Sequence, residues 1–119
     1  HFKLQDILNN RVLSENKMYD IIVSNPPYVR ELEKSEMSEN VLKYEPHIAL
    51  FVKDNNPLIY YNAIADYALK YLKKSGRIYL EINEYLGQET LQLFLDKGFS
   101  DVTLHQDING KNRILRVLY

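Results

Sequence analysis

The sequence has no cysteine and no tryptophan, and only four glycines and four prolines among its 119 residues. Without cysteine there is no disulfide and no thiolate metal site, which agrees with a reducing, cytoplasmic setting. No apolar run approaches the roughly 20 residues that a membrane helix needs, so no membrane partner is expected. No basic stretch followed by an apolar core marks a secretory signal. The glycines stand singly, at Gly76, Gly87, Gly98 and Gly110, and none belongs to a Gly-x-Gly cluster. A glycine-rich nucleotide loop is therefore missing. Excess charge is missing too. The formal net charge is −1, which argues against nucleic acid as a partner. His47 and His105 have no ligand partners at metal spacing, so no metal is expected. The first residue is His1 rather than Met, which reads as something other than a natural start.

What is present is ordinary for a globular domain: 45% hydrophobic and 26% charged residues. Tyr19 to Ser24 is a short apolar, β-branched run stopped by Pro26 and Pro27. It reads as a buried parallel strand that opens into a loop. Residues 29–57 show no clean period and many charges, which predicts a long loop of the kind that carries function. Leu58 to Lys74 has Tyr61, Ile64, Ala65, Ala68, Leu69 and Leu72 on one helical face. Asn55 and Asn56 are its candidate caps, and Ser75-Gly76 its stop. A strand over Arg77 to Ile82 follows, then a helix over Leu86 to Lys97 with Leu91, Phe94 and Leu95 on one face. Strands near Val102 and over Ile114 to Leu118 are joined across Asn109-Gly110. The order βαβ followed by a hairpin predicts an α/β fold, mostly parallel with a terminal antiparallel hairpin.

The residues with most chemical content are Asn25-Pro26-Pro27-Tyr28, placed at the C-terminal end of a parallel strand, where open α/β sheets bind ligands. A planar amide or aromatic amine nitrogen attacks a methyl sulfonium poorly because its lone pair is delocalised. A site can assist by accepting hydrogen bonds from its two N–H groups. The Asn25 side-chain oxygen is one acceptor and the Pro26 carbonyl the natural second. The prolines hold that carbonyl rigidly, so little ordering remains at the moment of reaction. Tyr28 offers a π-face to a flat substrate group. The competing reading is a plain turn, since Asn-Pro often starts one. The aspartate-led apolar strand just before it favours chemistry.

Tyr19 to Val29 as a whole resembles the signature of class I S-adenosylmethionine-dependent amino-methyltransferases. It is most similar to the glutamine methyltransferases of bacterial peptide chain release factors, often called the HemK family. Tyr44-Glu45-Pro46-His47-Ile48-Ala49-Leu50 resembles that family's Glu-Pro-x-x-Ala-Leu segment. Gly76 to Ile82 resembles its next strand. Asp107 to Arg113 resembles its terminal Asp-x-x-Gly-Arg-Asp-Arg hairpin, departing at Lys111 and Asn112. The resemblance implies methylation of a glutamine side-chain amide in a release factor, with S-adenosyl-L-methionine as cofactor. It implies that Asn25, Pro26, Pro27 and Tyr28 hold the amide, with Asn25, Pro26 and Tyr28 as the catalytic set and Asn25 also near the cofactor methyl. Asp6 and Ile7 match the position beside the cofactor's adenine. Glu45 and Arg113 match family positions without a role that the residues themselves reveal.

The glycine-rich loop, the acidic residue for the cofactor ribose and the family's N-terminal helical domain have no counterpart here. The resemblance therefore covers the C-terminal half of a Rossmann-like class I sheet. Residues 1–119 read as a partial catalytic domain with little activity by itself. In the family's strand order, 3-2-1-4-5-7-6, the chain would hold the fourth to seventh strands, ordered 4-5-7-6. Residues 1–5 would be the end of the third strand, poorly ordered or paired in a non-family way, which would displace Asp6 from any cofactor site. A bare apolar strand is an association hazard, so the edge near Ile21 to Val23 is expected to be covered by a neighbouring molecule, a second copy or a rearranged segment, which makes it a candidate surface for self-association. Two other readings stay open. One is an adenine amino-methyltransferase acting on DNA or RNA, which shares Asn-Pro-Pro-Tyr. The other is a non-catalytic α/β module, against which the retention of Asn25, Pro26 and Tyr28 argues.

Overall fold

A computed structural model describes residues 2–9 and 17–119. Its centre is a four-stranded sheet in which β1 (Tyr19–Ser24) lies beside β4 (Leu72–Glu81), then β6 (Asn112–Leu118), then β5 (Asp101–Gln106). The β1–β4 pair is parallel, and both pairs made by β6 are antiparallel. This is the order that the resemblance implies for the fourth, fifth, seventh and sixth strands. The parallel pair needs a crossover, which runs through residues 25–71 and includes α3 (Ile59–Tyr71). The antiparallel pair needs only a turn, supplied at Gly110, whose φ is +76°.

Strand alternation divides the sheet into two faces. Ile78 and Leu80 of β4 pair with Val117 and Leu115 of β6, and all four are fully buried. Ile22, Val102 and Leu104 pack against the same cluster. Helix α3 contributes Tyr61, Ile64, Ala65 and Ala68 to it, and α4 (Gly87–Asp96) contributes Phe94. Phe99 continues the layer, 5.5 Å from Phe94. Two expected members, Leu69 and Leu95, lie on the exposed side of their helices.

The other face carries Ile21 and Val23, which are 56% and 74% exposed. The expectation of a buried strand is thus corrected: β1 has a covered face and a bare one. A continuous apolar run suits a strand covered on both sides, but here Ile21 is exposed and Val23 only lines an open cleft beside Tyr60, Ile64 and Tyr67 of α3. Among the described residues no segment pairs with the outer edge of β1, so the expected cover by a rearranged segment is not found among them. Residues 2–5 form no strand, and Phe2 and Leu4 are exposed. The expectation for His1 falls outside the described residues.

Three local expectations are also corrected. Helix α3 ends at Tyr71, so Lys73 and Lys74 belong to the extended segment, where Lys73 meets Asp20 at 2.7 Å. The buried Leu72 draws the chain into the sheet earlier than glycine punctuation suggests. The spacing between Tyr19↔Leu72 and Ile21↔Arg77 absorbs the surplus as an irregularity. Asn55 and Asn56 do not cap α3 with their side chains; its N-cap is Leu58. The stretch 29–57 is not structureless. It holds β2 (Val29–Arg30), a 3₁₀ turn over Glu31–Glu36, α1 (Glu39–Tyr44), α2 (His47–Leu50) and β3 (Phe51–Val52), with β2 and β3 paired in parallel. Among the described residues no helix is long and apolar enough to cross a membrane.

Candidate functional site

The chain leaves β1 at Ser24 and turns through Asn25-Pro26-Pro27-Tyr28, at the C-terminal end of the sheet's parallel pair. The two prolines fix two successive φ angles and cannot continue the ladder, so the turn is stiff by sequence. Pro26 is buried, Pro27 and Tyr28 are half-buried, and Asn25 is exposed. Asn25, Pro26 and Tyr28 line one open cleft of about 450 Å³ together with Met37, Val41, Glu45, Ala49 and Leu50. Two sequence segments about 20 residues apart, the Asn-Pro-Pro-Tyr turn and the Glu45 to Leu50 stretch, therefore become opposite walls of a single space. Short helices α1 and α2 bring the second wall there, and Pro46 sits at the N-cap of α2.

Pro26 and Pro27 also line a second, more apolar cleft of about 280 Å³, with Ile7, Ile22, Val23, Ser24, Tyr60, Ile64 and Tyr67. Ile7 thus reaches the site and packs against the core beside Ile22. Asp6 does not line either cleft; its carboxylate accepts from the Leu8 N–H at 3.0 Å within a turn. As a test of fit for S-adenosylmethionine, Ile7 and the prolines offer apolar walls to a flat ring such as adenine. The lining of that cleft holds no carboxylate for a ribose diol. The described residues fit one end of that group.

The turn is held from behind by polar groups. The Tyr28 hydroxyl donates to Glu81 Oε1 at 2.6 Å, and the Tyr28 carbonyl accepts from Asn83 Nδ2 at 3.0 Å. Burial first, and then the Glu81 carboxylate, push the Tyr28 hydroxyl up to about 12, while Arg113 pulls the other way. Asn83 is only 4% exposed and spends its remaining capacity on Glu33 Oε2 at 2.8 Å and on the Tyr85 N–H at 2.9 Å. Glu33, 5% exposed, also accepts from the Arg30 N–H at 2.8 Å and from the Arg30 guanidinium at 2.6 Å. Burial disfavours its charge, but Arg30 and Asn83 outweigh that and hold the carboxyl below its usual range. In the sequence, Glu33 is indistinguishable from the other charges of residues 29–57. Asn83 likewise carries no sequence signal of its role beyond standing just past the strand over Gly76 to Ile82.

Arg113 meets Asp107 at 3.4 Å, and Asp107 accepts from the Asn109 and Lys111 N–H groups. This gives Arg113 and the Asp107 segment a structural account: the carboxylate shapes the turn and anchors the arginine near Tyr28. Glu45 lines the cleft and is exposed. His47 packs its ring on Phe51 at 5.4 Å. No metal-ligating cluster occurs among the described residues.

Residues 2–112 match the family described as Eco57I restriction-modification methylase. The chain is 52% identical over 102 residues to a protein of Flavobacterium psychrophilum named release factor glutamine methyltransferase, covering 86% of this chain and 36% of that protein. A protein of the same name from Bacteroides thetaiotaomicron is 45% identical over 114 residues, covering 96% of this chain and 41% of that one. The chain thus spans well under half the length of these relatives. In fold it is similar to the crystal structure of a release-factor-specific protein-(glutamine-N5) methyltransferase from Alicyclobacillus acidocaldarius. There the TM-score is 0.54 and the identity 22%, over 86% of this chain and 49% of that one. The chain therefore belongs to the Eco57I restriction-modification methylase family and is a relative of the proteins named release factor glutamine methyltransferase.

Proposed function

We propose that the protein carrying this chain transfers a methyl group to the side-chain amide nitrogen of a glutamine in a peptide chain release factor. The observation that carries this reading is the shared cleft, in which Asn25, Pro26 and Tyr28 face Glu45, Ala49 and Leu50. The names of the relatives point the same way. S-adenosyl-L-methionine, as donor, would supply an electrophilic methyl on a sulfonium. The rest of the chemistry falls to the chain. The Asn25 side-chain oxygen and the Pro26 carbonyl accept the two N–H groups of the substrate amide and aim its nitrogen. The Tyr28 ring lies against the amide plane. The nitrogen lone pair would take the methyl as the donor's carbon–sulfur bond breaks, the bonding pair staying on sulfur as a neutral thioether, and the nitrogen would then release a proton to solvent, so no general base is required. Ile7, Pro26 and Pro27 form the wall for the donor's adenine, and Asp6 reaches its exocyclic amine only if its turn opens.

We further infer that the chain is the second half of a larger Rossmann-like sheet and that activity requires the rest of that sheet. The bare face and unpaired edge of β1, and the absence of a carboxylate along the second cleft, support this. Without that remainder the same edge is a surface for self-association.

The family description favours a second reading, methylation of adenine in nucleic acid. One experiment separates them. The full-length protein is incubated with radiolabelled methyl donor and, in parallel, with a release factor or with duplex DNA. Label on a glutamine of the release factor is expected. Label on DNA adenine alone would overturn the glutamine assignment.

A further inference from the structure

The Asn-Pro-Pro-Tyr turn presents a ring, and a ring is useful for stacking only if its plane is fixed. The aromatic χ2 torsion is broad, so packing alone leaves the ring freedom to rock. In this chain the far end of the ring is tied down. Glu81, the last residue of β4, accepts the Tyr28 hydroxyl at 2.6 Å across 53 residues of sequence. Its own backbone is pinned as well, because the Glu81 carbonyl accepts from the fully buried Tyr61 hydroxyl at 3.0 Å. Glu81 pairs with Ile114 of β6, and the adjacent Ile82 is fully buried. The carboxylate is therefore carried on a rigid strand end.

We propose that Glu81 is a positioning residue for methyl transfer: it fixes the Tyr28 ring plane against which the planar target nitrogen lies. This rests on the function proposed above. Glu81 itself lines neither cleft and so acts through Tyr28. A merely structural carboxylate would lower stability when removed and leave the kinetics of the folded enzyme alone.

The test is a double-mutant cycle in the full-length protein, with kcat, KM and melting temperature measured for each variant on a release factor. Glu81→Ala should lower kcat by roughly tenfold to a hundredfold through misplacement of the ring, with KM for the methyl donor little changed. Glu81→Gln should restore most of that loss, since its amide oxygen still accepts from the hydroxyl. Tyr28→Phe should lose about as much as Glu81→Ala, and the double variant about as much as either alone. Losses that multiply, or an unchanged kcat in folded Glu81→Ala, would overturn the proposal. A readout free of any substrate is the ¹³Cζ resonance of Tyr28. It should move in Glu81→Ala and stay in place in Glu84→Ala, whose carboxylate holds Lys111 instead. If the unaltered protein methylates no release factor, the proposed function fails, whereas an unmoved resonance in Glu81→Ala sinks the clamp itself.

Discussion

The two faces of the central sheet are built from the same strands and differ in almost everything else. On one, Ile78, Leu80, Leu115 and Val117 meet α3 and α4 and lose all contact with water. On the other, the β5–β6 end mixes Ile114 and Leu118 with polar groups: Arg116 lies opposite Thr103, donates to it at 3.2 Å, and reaches Asp101 at 3.5 Å. The β1 end of that bare face is apolar, with Ile21 and Val23. The difference teaches that an apolar strand run reports what a strand is suited to, and the neighbours decide what it receives. The β5–β6 end carries charged and hydroxyl groups that suit water, and the apolar β1 end suits a cover that the described residues do not contain.

Breaking the covered face should have the largest effect. Phe94→Ala, at the fully buried junction of α4 and the sheet, should cost about 3–5 kcal/mol of stability. Denaturant unfolding measures it, and a loss below about 1 kcal/mol would contradict the packing. Next comes the turn at the sheet's end. Asn25→Ala in the full-length protein should raise the barrier to methyl transfer by about 2–4 kcal/mol, as loss of one preorganised polar group does. Its unfolding midpoint should scarcely move, because Asn25 is exposed. Full turnover in that variant would refute the assigned role.

The network behind the turn should respond to acid. The Glu33 carboxyl is held below its ordinary value of 4.5 in the folded chain, so the stability it contributes is present above that value. That contribution is lost as pH falls through the lower folded value. Glu33→Gln should cost about 1–2 kcal/mol near neutral pH and flatten the acid side of the stability curve. An unchanged acid limb in Glu33→Gln would show that the network carries no such linkage. The smallest effect belongs to the bare face. Val23→Ala, in this chain alone, should change stability by no more than about 0.5 kcal/mol. A loss as large as that at Phe94 would mean that Val23 is covered in solution, and sedimentation would then show whether a second copy covers it.

Much of the candidate site was legible because its chemistry is contiguous. Asn25 to Tyr28 sit on four successive residues, and the prolines announce both the turn and its stiffness. The role of Glu33 was not legible, because a carboxylate in a charged stretch gives no sign of which one will be buried against an arginine. Asp6 was placed by resemblance beside a cofactor, while the structure engages it in a local turn. Ile7, by contrast, reaches the cleft because its side chain joins the core.

The sequence by itself determined the α/β order, the site of the turn, the amphipathic faces of α3 and α4 apart from Leu69 and Leu95, and the terminal hairpin. Each follows from periodicity, proline and glycine over a few residues. Only the tertiary structure decided that residues 29–57 fold into short helices that bring Glu45 to Leu50 opposite Asn25. Only it decided that Glu81 and Asn83 grip Tyr28, and that β1 is covered on one face. Those outcomes depend on contacts between residues some 20 to 55 positions apart. Burial and pairing at such distances are set by the packing of whole elements, and local pattern carries no record of it.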